Sequence, residues 1–162
     1  MTFPRNAVHG AVMMFQRNAV HADQTCDGFP VQMISVRNQA GVEPWYLELI
    51  ERAVAQQSLQ LRREWGTRCV VFGPGGWPLT LLPSLAGTAC AGDGGCHWED
   101  DRVRMLVQTQ GTWSAVVSHE VVESLVDPSG TGHEICDPLD YVWYQGLGGV
   151  RLQAFEPPSY FS

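Results

Sequence analysis

Trp113-Ser-Ala-Val-Val-Ser-His119-Glu120-Val-Val-Glu123-Ser-Leu-Val-Asp127-Pro128 is the stretch around which the chain is organised. As a helix it sets His119 and Glu123 at i and i+4, so both side chains leave one face. Val116, Val117, Val121, Val122, Leu125 and Val126 crowd these polar groups with apolar neighbours. A helix this apolar is expected to be buried, and a buried histidine beside two carboxylates requires partners or a metal ion. Asp127-Pro128 ends it, because a residue before proline is pushed out of the α region.

The spacing carries chemistry. In the pattern H-E-x-x-H two histidines on one helical face hold zinc, and the glutamate after the first acts as general base. Here Glu120 holds the base position and Glu123 replaces the second histidine, and a carboxylate oxygen is itself a zinc ligand. The competing reading is an ordinary core helix whose His and Glu bond internally. The motif alone does not separate the two.

Outward from this helix, residues 103–108 read as a strand that Gly111-Thr112 turns into the helix. Residues 68–72 and 77–82 read as two more strands on either side of Gly73-Pro-Gly-Gly76, with Pro78 favouring an edge or a strand start. Residues 31–36 form a first strand. Pro44 then opens a long helix at its favoured first-turn position. Leu47, Ile50, Val54, Leu61 and Trp65 fall on its apolar stripe, and Gly66 stops it. Residues 84–96 read as a Gly-, Ala- and Ser-rich loop that ends at His97-Trp98. After Pro128 comes a flexible turn, and residues 140–145 and 150–155 suit a closing hairpin around Gly146-Leu-Gly-Gly149. The aromatic tail 157–161 is expected to dock on the body. The order β-α-β-β-β-α-β-β implies an α+β fold with two helices on one sheet.

A chain of 162 residues suits one domain. The net charge is −7, and all ten basic residues are arginine. That balance argues against nonspecific nucleic-acid binding, which needs a basic surface to displace counterions. No run of about 18 apolar residues exists for membrane insertion. The stretch Ala11-Val-Met-Met-Phe15 is too short, and too closely followed by Arg17, for a secretory h-region. Of the five cysteines, Cys90 and Cys96 could close a small disulfide loop or remain free thiols, and a reduced state is the default in a cytosol. Residues 1–30 carry a duplication, Phe3-Pro-Arg-Asn-Ala-Val-His9 returning as Phe15-Gln-Arg-Asn-Ala-Val-His21. They read as an N-terminal arm ahead of a domain spanning 31–162. Phe3, Met13, Met14 and Phe15 suit an arm that drapes over a neighbouring subunit, where buried area offsets its ordering entropy.

An ensemble of motifs then resembles a family. It comprises Ile34-Ser-Val-Arg-Asn38, Glu64-Trp-Gly66, Trp77-Pro78, Gly95-Cys-His97, Ser118-His-Glu-Val-Val-Glu123, Asp127-Pro128, Glu134-Ile-Cys-Asp-Pro138, Gly149-Val-Arg151 and Pro158-Ser-Tyr-Phe161. Together they resemble small zincin-like, HExxE metallopeptidase-like proteins encoded by tailed phages and some bacteria. The resemblance covers residues 31–162 and departs in the Gly- and Cys-rich loop 84–96 and the short turn 129–132. It implies a zincin-like, mostly antiparallel sheet with a long backing helix and an HExxE active-site helix. The implied activity is a zinc-dependent peptidase or amidase acting on a peptide substrate. The alternative is a virion structural protein, in tail, connector or capsid, with a structural metal or none. Location in a phage virion or the host cytoplasm follows, with virion proteins or a second copy of the chain as partners through the arm.

In such a site His119 and Glu123 are metal ligands and Glu120 is the catalytic base. The third ligand has to come from elsewhere. Asp137 is first choice and Glu134 second, both arriving after the Gly-rich turn. Asp127 lies roughly 12 Å along the helix from His119 at about 1.5 Å per residue, which suits a structural carboxylate. Cys136 is a thiolate candidate, though in a strand it would face away from Asp137. His97 stays open as ligand, transition-state donor or plain loop histidine. Zinc is the expected metal, and an oxygen-rich set also admits calcium or another divalent cation.

Overall fold

The computed structural model describes residues 29–139 and 142–162. The duplicated segment with His9 and His21, the subunit contacts expected of the arm, and Cys26 lie outside the described residues. Phe29, at the end of the proposed arm, lies under the guanidinium of Arg62, 3.0 Å from its ring centroid.

The order is β1 (Val31–Asn38), α1 (Pro44–Trp65), β2 (Cys69–Phe72), β3 (Trp77–Leu82), β4 (Gly95–Glu99), β5 (Val103–Gln108), α2 (Trp113–Val126), β6 (Trp143–Gln145) and β7 (Arg151–Gln153). Pro44 takes the first turn of α1, and Leu47, Ile50, Val54 and Leu61 are buried as their spacing predicts. Gly66 closes that helix, its amide donating to the Arg62 carbonyl at 2.9 Å. The protein is a mixed α+β fold: two helices over a five-stranded sheet of order β2-β1-β3-β5-β4, with β6 and β7 forming a separate two-stranded ribbon.

The sheet is mostly parallel, which corrects the mostly antiparallel sheet expected from the sequence. Only β4 and β5 pair antiparallel; β1–β2, β1–β3 and β3–β5 are all parallel. The cause is the Gly73-Pro-Gly-Gly76 segment. β2 pairs with the first half of β1, from Val31↔Cys69 to Ile34↔Phe72. β3 pairs with the second half on its other side, from Ile34↔Trp77 to Asn38↔Leu81. Four residues therefore carry the chain over β1 without reversing its direction. Gly73 donates its amide to the Ile34 carbonyl at 2.9 Å. Gly76, at φ 110°, lies so close to Met33 that a Cβ would fall 2.2 Å from the Met33 carbonyl oxygen. No side chain fits there. Pro78 thus sits near the start of an inner strand rather than on an edge.

A second correction is β4. Residues 95–99 form an edge strand in register with β5, from Gly95↔Val107 to Glu99↔Val103. His97 is therefore a strand residue, not the end of a loop.

Ile34, Leu79, Leu81, Met105 and Val107 build the core with Leu47, Ile50, Ala53 and Val54 of α1 and Val117 and Val121 of α2. A smaller cluster joins Leu61, Val122, Ile135 and Cys136, with Trp65, Phe155 and Phe161 packed against it. Phe161 stacks tilted on Trp65 at 5.8 Å, so the aromatic tail docks as its composition suggests. The ribbon pairs Trp143↔Gln153 and Gln145↔Arg151 around the glycine-rich turn, matching the expected hairpin. Among the described residues no helix is long and apolar enough to cross a membrane.

Gly76→Ala is expected to destabilise the protein by about 3 kcal/mol or more, since backbone and not a flexible side chain must yield. Gly75→Ala meets open space at φ 80° and should cost only roughly 1–2 kcal/mol of left-handed strain. Equilibrium urea unfolding of the two variants measures the difference.

Candidate functional site

Helix α2 is buried on nearly all sides, and Glu120 and Glu123 are only 4% and 1% exposed. Each ion removed from water costs several kcal/mol, so each carboxylate has to be met by a partner. Their partners define the site.

Glu123 is held from two directions. Its Oε2 lies 3.0 Å from His119 Nε2, the i, i+4 pair read from the sequence. Its Oε1 accepts the Cys136 amide at 2.8 Å. That amide arrives because Ile135 and Cys136 are fully buried in the smaller cluster, while the Glu156 amide grips the Ile135 carbonyl at 2.8 Å. Burying a side chain such as Ile135 contributes roughly 2 kcal/mol by area alone. The chain then turns into the short 3-10 helix Asp137–Leu139. This turn replaces the strand geometry expected for residues 135–137. It brings Asp137 Oδ1 to 3.5 Å from His119 Nε2. Glu134 also brings a carboxylate oxygen within 4.8 Å of one on Glu123.

Glu120 faces β4 instead. Its Oε2 lies 3.1 Å from His97 Nδ1, and His97 Nε2 lies 3.0 Å from the Asp127 carbonyl oxygen at the end of α2. Both ring nitrogens face acceptors. Nε2 therefore carries a hydrogen, and one further proton sits between Nδ1 and Oε2, on either partner. Gly95 makes the approach of strand and helix feasible: a Cβ there would fall 2.7 Å from both Glu120 Oε1 and Val116 Cγ1. Asp127 turns its carboxylate away to the Ser129 hydroxyl and the Gly132 amide.

The electrostatics follow these contacts. Burial works to lower the His119 pKa, but hydrogen bonding and charge from Glu123 outweigh it and raise it to about 9. Burial opposes ionisation of Glu123, yet His119 holds its pKa below the usual carboxylate value. Burial and the neighbouring Glu123 charge lift Glu134 to about 7. Burial raises Glu120. For His97, burial again acts downward, and the Glu120 contact turns the net shift upward. The Cys136 thiol is pushed up by burial and the surrounding carboxylates, so it stays neutral.

These groups line a cleft of about 670 Å³, into which His97, His119, Glu120, Glu123, Glu134 and Asp137 all contribute. Trp143 forms another part of its wall, with the Arg151 guanidinium 4.2 Å from the ring centroid. A disulfide between Cys90 and Cys96, Cα atoms 5.8 Å apart, ties the loop that supplies the rim at residues 92–95. Cys69 and Cys136 are both buried in the core.

A comparison of the chain with protein-family models, with curated proteins and with solved structures finds no match.

The donor set suits a divalent cation. Bonds of roughly 2.0–2.2 Å in tetrahedral array place zinc ligand atoms about 3.3–3.6 Å apart. The 3.5 Å separation of Asp137 Oδ1 from His119 Nε2 falls in that range, and the 3.0 Å of Glu123 Oε2 lies just below it. Glu123, Glu134 and Asp137 each offer an oxygen, and His119, Glu123 and Cys136 form an overlapping group; within each group the ligand atoms lie within 4.8 Å of one another. Asp137 and Glu134 line the cleft, whereas Cys136 points into the core. The sequence reading missed the bond between His97 and Glu120. The signal was the alternation of residues 95–99 and 103–107 on either side of Asp100-Asp-Arg102, a hairpin hidden by the glycines before it.

Metal uptake should expel protons. With its pKa at about 9, His119 of the metal-free protein is protonated near pH 7.5, and a metal accepts only the neutral ring. About one proton is therefore released per ion, with a further fraction from Glu134, and the release fades as pH rises through 9. The same raised pKa stabilises the metal-free fold fully below about 6.5, and that contribution is lost as pH climbs through about 9. Titration calorimetry in buffers of different ionisation enthalpy counts the protons.

Proposed function

We propose that this chain is a metal-binding, zincin-like protein that hydrolyses peptide or amide bonds, with His119, Glu123 and Asp137 holding zinc and Glu120 serving as the base. One observation carries the proposal: His119 Nε2 lies 3.0 Å from Glu123 Oε2 and 3.5 Å from Asp137 Oδ1, on the wall of the cleft that Glu120 also lines. Bound zinc supplies Lewis-acid polarisation of the scissile carbonyl and of the attacking water. The protein's own groups do the rest. Glu120 takes the water's proton on Oε1, the oxygen over Gly95, and returns it to the leaving amine. Glu134, near neutrality in its titration, is a fourth oxygen beside the ligands. The cleft volume falls within the range of small-ligand sites and suits a short peptide stretch.

A second reading draws on the burial of Glu120, which at 4% exposure is bonded to His97 rather than open to substrate. On it the protein is a virion structural component, its metal tying the segment 134–137 to α2. The mutually close carboxylates of Glu123, Glu134 and Asp137 would also accommodate a harder cation such as calcium.

Metal analysis and hydrolysis assays separate these readings. His119→Ala should abolish binding of about one zinc per chain. Glu120→Gln should keep the zinc and remove most cleavage of casein or mixed peptides, by about 100-fold or more. Wild-type protein that carries zinc yet cleaves neither these nor peptidoglycan stem peptides would favour the structural reading. Protein that takes up no metal would reduce α2 to a core helix.

A further inference from the structure

We infer that His97 is a positioning residue for Glu120, acting through Nδ1, while its Nε2 bond to the helix end serves only to fix the ring. The inference rests on the hydrolytic reading of the site.

The geometry separates two tasks on one ring. Nδ1 meets Glu120 Oε2 at 3.1 Å, and Nε2 meets the Asp127 carbonyl oxygen at 3.0 Å. A glutamate side chain has three rotatable bonds, so a partner has to select the rotamer that lays Oε1 along Gly95. The imidazole does so by occupying Oε2. The ring in turn cannot rotate, because it is fastened at its far nitrogen and its side chain is only 4% exposed. Its backbone is fixed as well. His97 sits in register with Met105 of β5, and its neighbour Cys96 is bonded to Cys90. Gly130 closes the remaining side, since a Cβ there would lie 3.3 Å from the His97 carbonyl oxygen and 3.5 Å from its Nε2. The hydrogen bonds of the His97 ring go to Glu120 and the Asp127 carbonyl, and its charge also reaches Glu123 and Glu134, so the variants are compared at equal zinc content.

Asparagine and glutamine divide the two tasks. The amide nitrogen of asparagine falls near the place of Nδ1, and that of glutamine near Nε2. His97→Asn therefore keeps a donor for Glu120 and loses the tie to Asp127. His97→Gln does the reverse. The test uses zinc-loaded full-length protein with casein and a mixed peptide pool as substrates, and zinc per chain measured by elemental analysis. Both variants should retain about one zinc and an unchanged KM. The kcat of His97→Gln should fall about 10- to 100-fold, the usual effect of losing a partner that orients a reacting group. That of His97→Asn should stay within about threefold of wild type. A second readout needs no turnover: in metal-free protein, NMR should find an exchange-protected proton in the His97 Nδ1–Glu120 Oε2 bond, and the Nδ1 resonance should move in Glu120→Gln.

Equal kcat in the Gln variant and wild type overturns the inference. So does zinc loss in step with activity in both variants, which makes His97 a support of the metal site. An Nδ1 resonance unmoved by Glu120→Gln overturns it also. Zinc-loaded wild type without any cleavage, its NMR signal intact, instead removes the hydrolytic reading and takes this inference with it.

Discussion

Two carboxylates one turn apart on a buried helix constrain everything around them. Neither Glu120 nor Glu123 can remain charged in a dry environment without a proton or a cation within reach. The fold answers each from a different direction. β4 delivers His97 to Glu120, and the segment after α2 delivers the Cys136 amide, Glu134 and Asp137 to Glu123. The apolar packing of Ile135, Val122 and Leu61 is what keeps that second delivery in place. A helix whose polar groups met no partner would be a liability; here the partners are the cleft.

The division of labour between the two glutamates also explains their electrostatics. Glu123 has a nearby imidazole and a backbone donor, and its pKa is lowered. Glu120 has one ring nitrogen and no backbone donor to set against its burial, and its pKa is raised. Adjacent groups on one helix are thereby pushed apart, the pattern that allows one to bind a cation and the other to carry a proton.

Much of this was legible in the chain, and the failures share a cause. The i, i+4 geometry of His119 and Glu123, the stripe of α1 with its Pro44 start and Gly66 stop, and the closing ribbon are local facts. Helical and strand periodicity encode them directly. The direction of β3 is not local. Gly73-Pro-Gly-Gly76 has the composition of a reversing turn, and only the presence of β1 beneath it makes it a crossing. β4 was obscured because glycine and cysteine before it lack strand propensity, and its pairing with β5 supplies the missing preference. The link between His97 and Glu120 spans 23 positions and exists only once β4 does. Asp137 was named from the reach of the turn before it, but the 3-10 helix that turns Cys136 inward and Asp137 outward is a product of packing.

The crossing over β1 has a topological consequence. With β2 bonded along one half of β1 and β3 along the other, and four residues laid across its face, β1 is held in a collar of its own chain. It cannot slip in register by sliding, because Gly76 sits against Met33 and admits no bulkier residue beneath it. Releasing β1 means opening both flanks at once. Its inner amides consequently belong to the last cooperative unit to exchange with solvent, while the edge strand β4 lies at the opposite end of that scale. The side of the cleft that β4 supplies is thus built at the margin of the sheet, away from the strand that yields last.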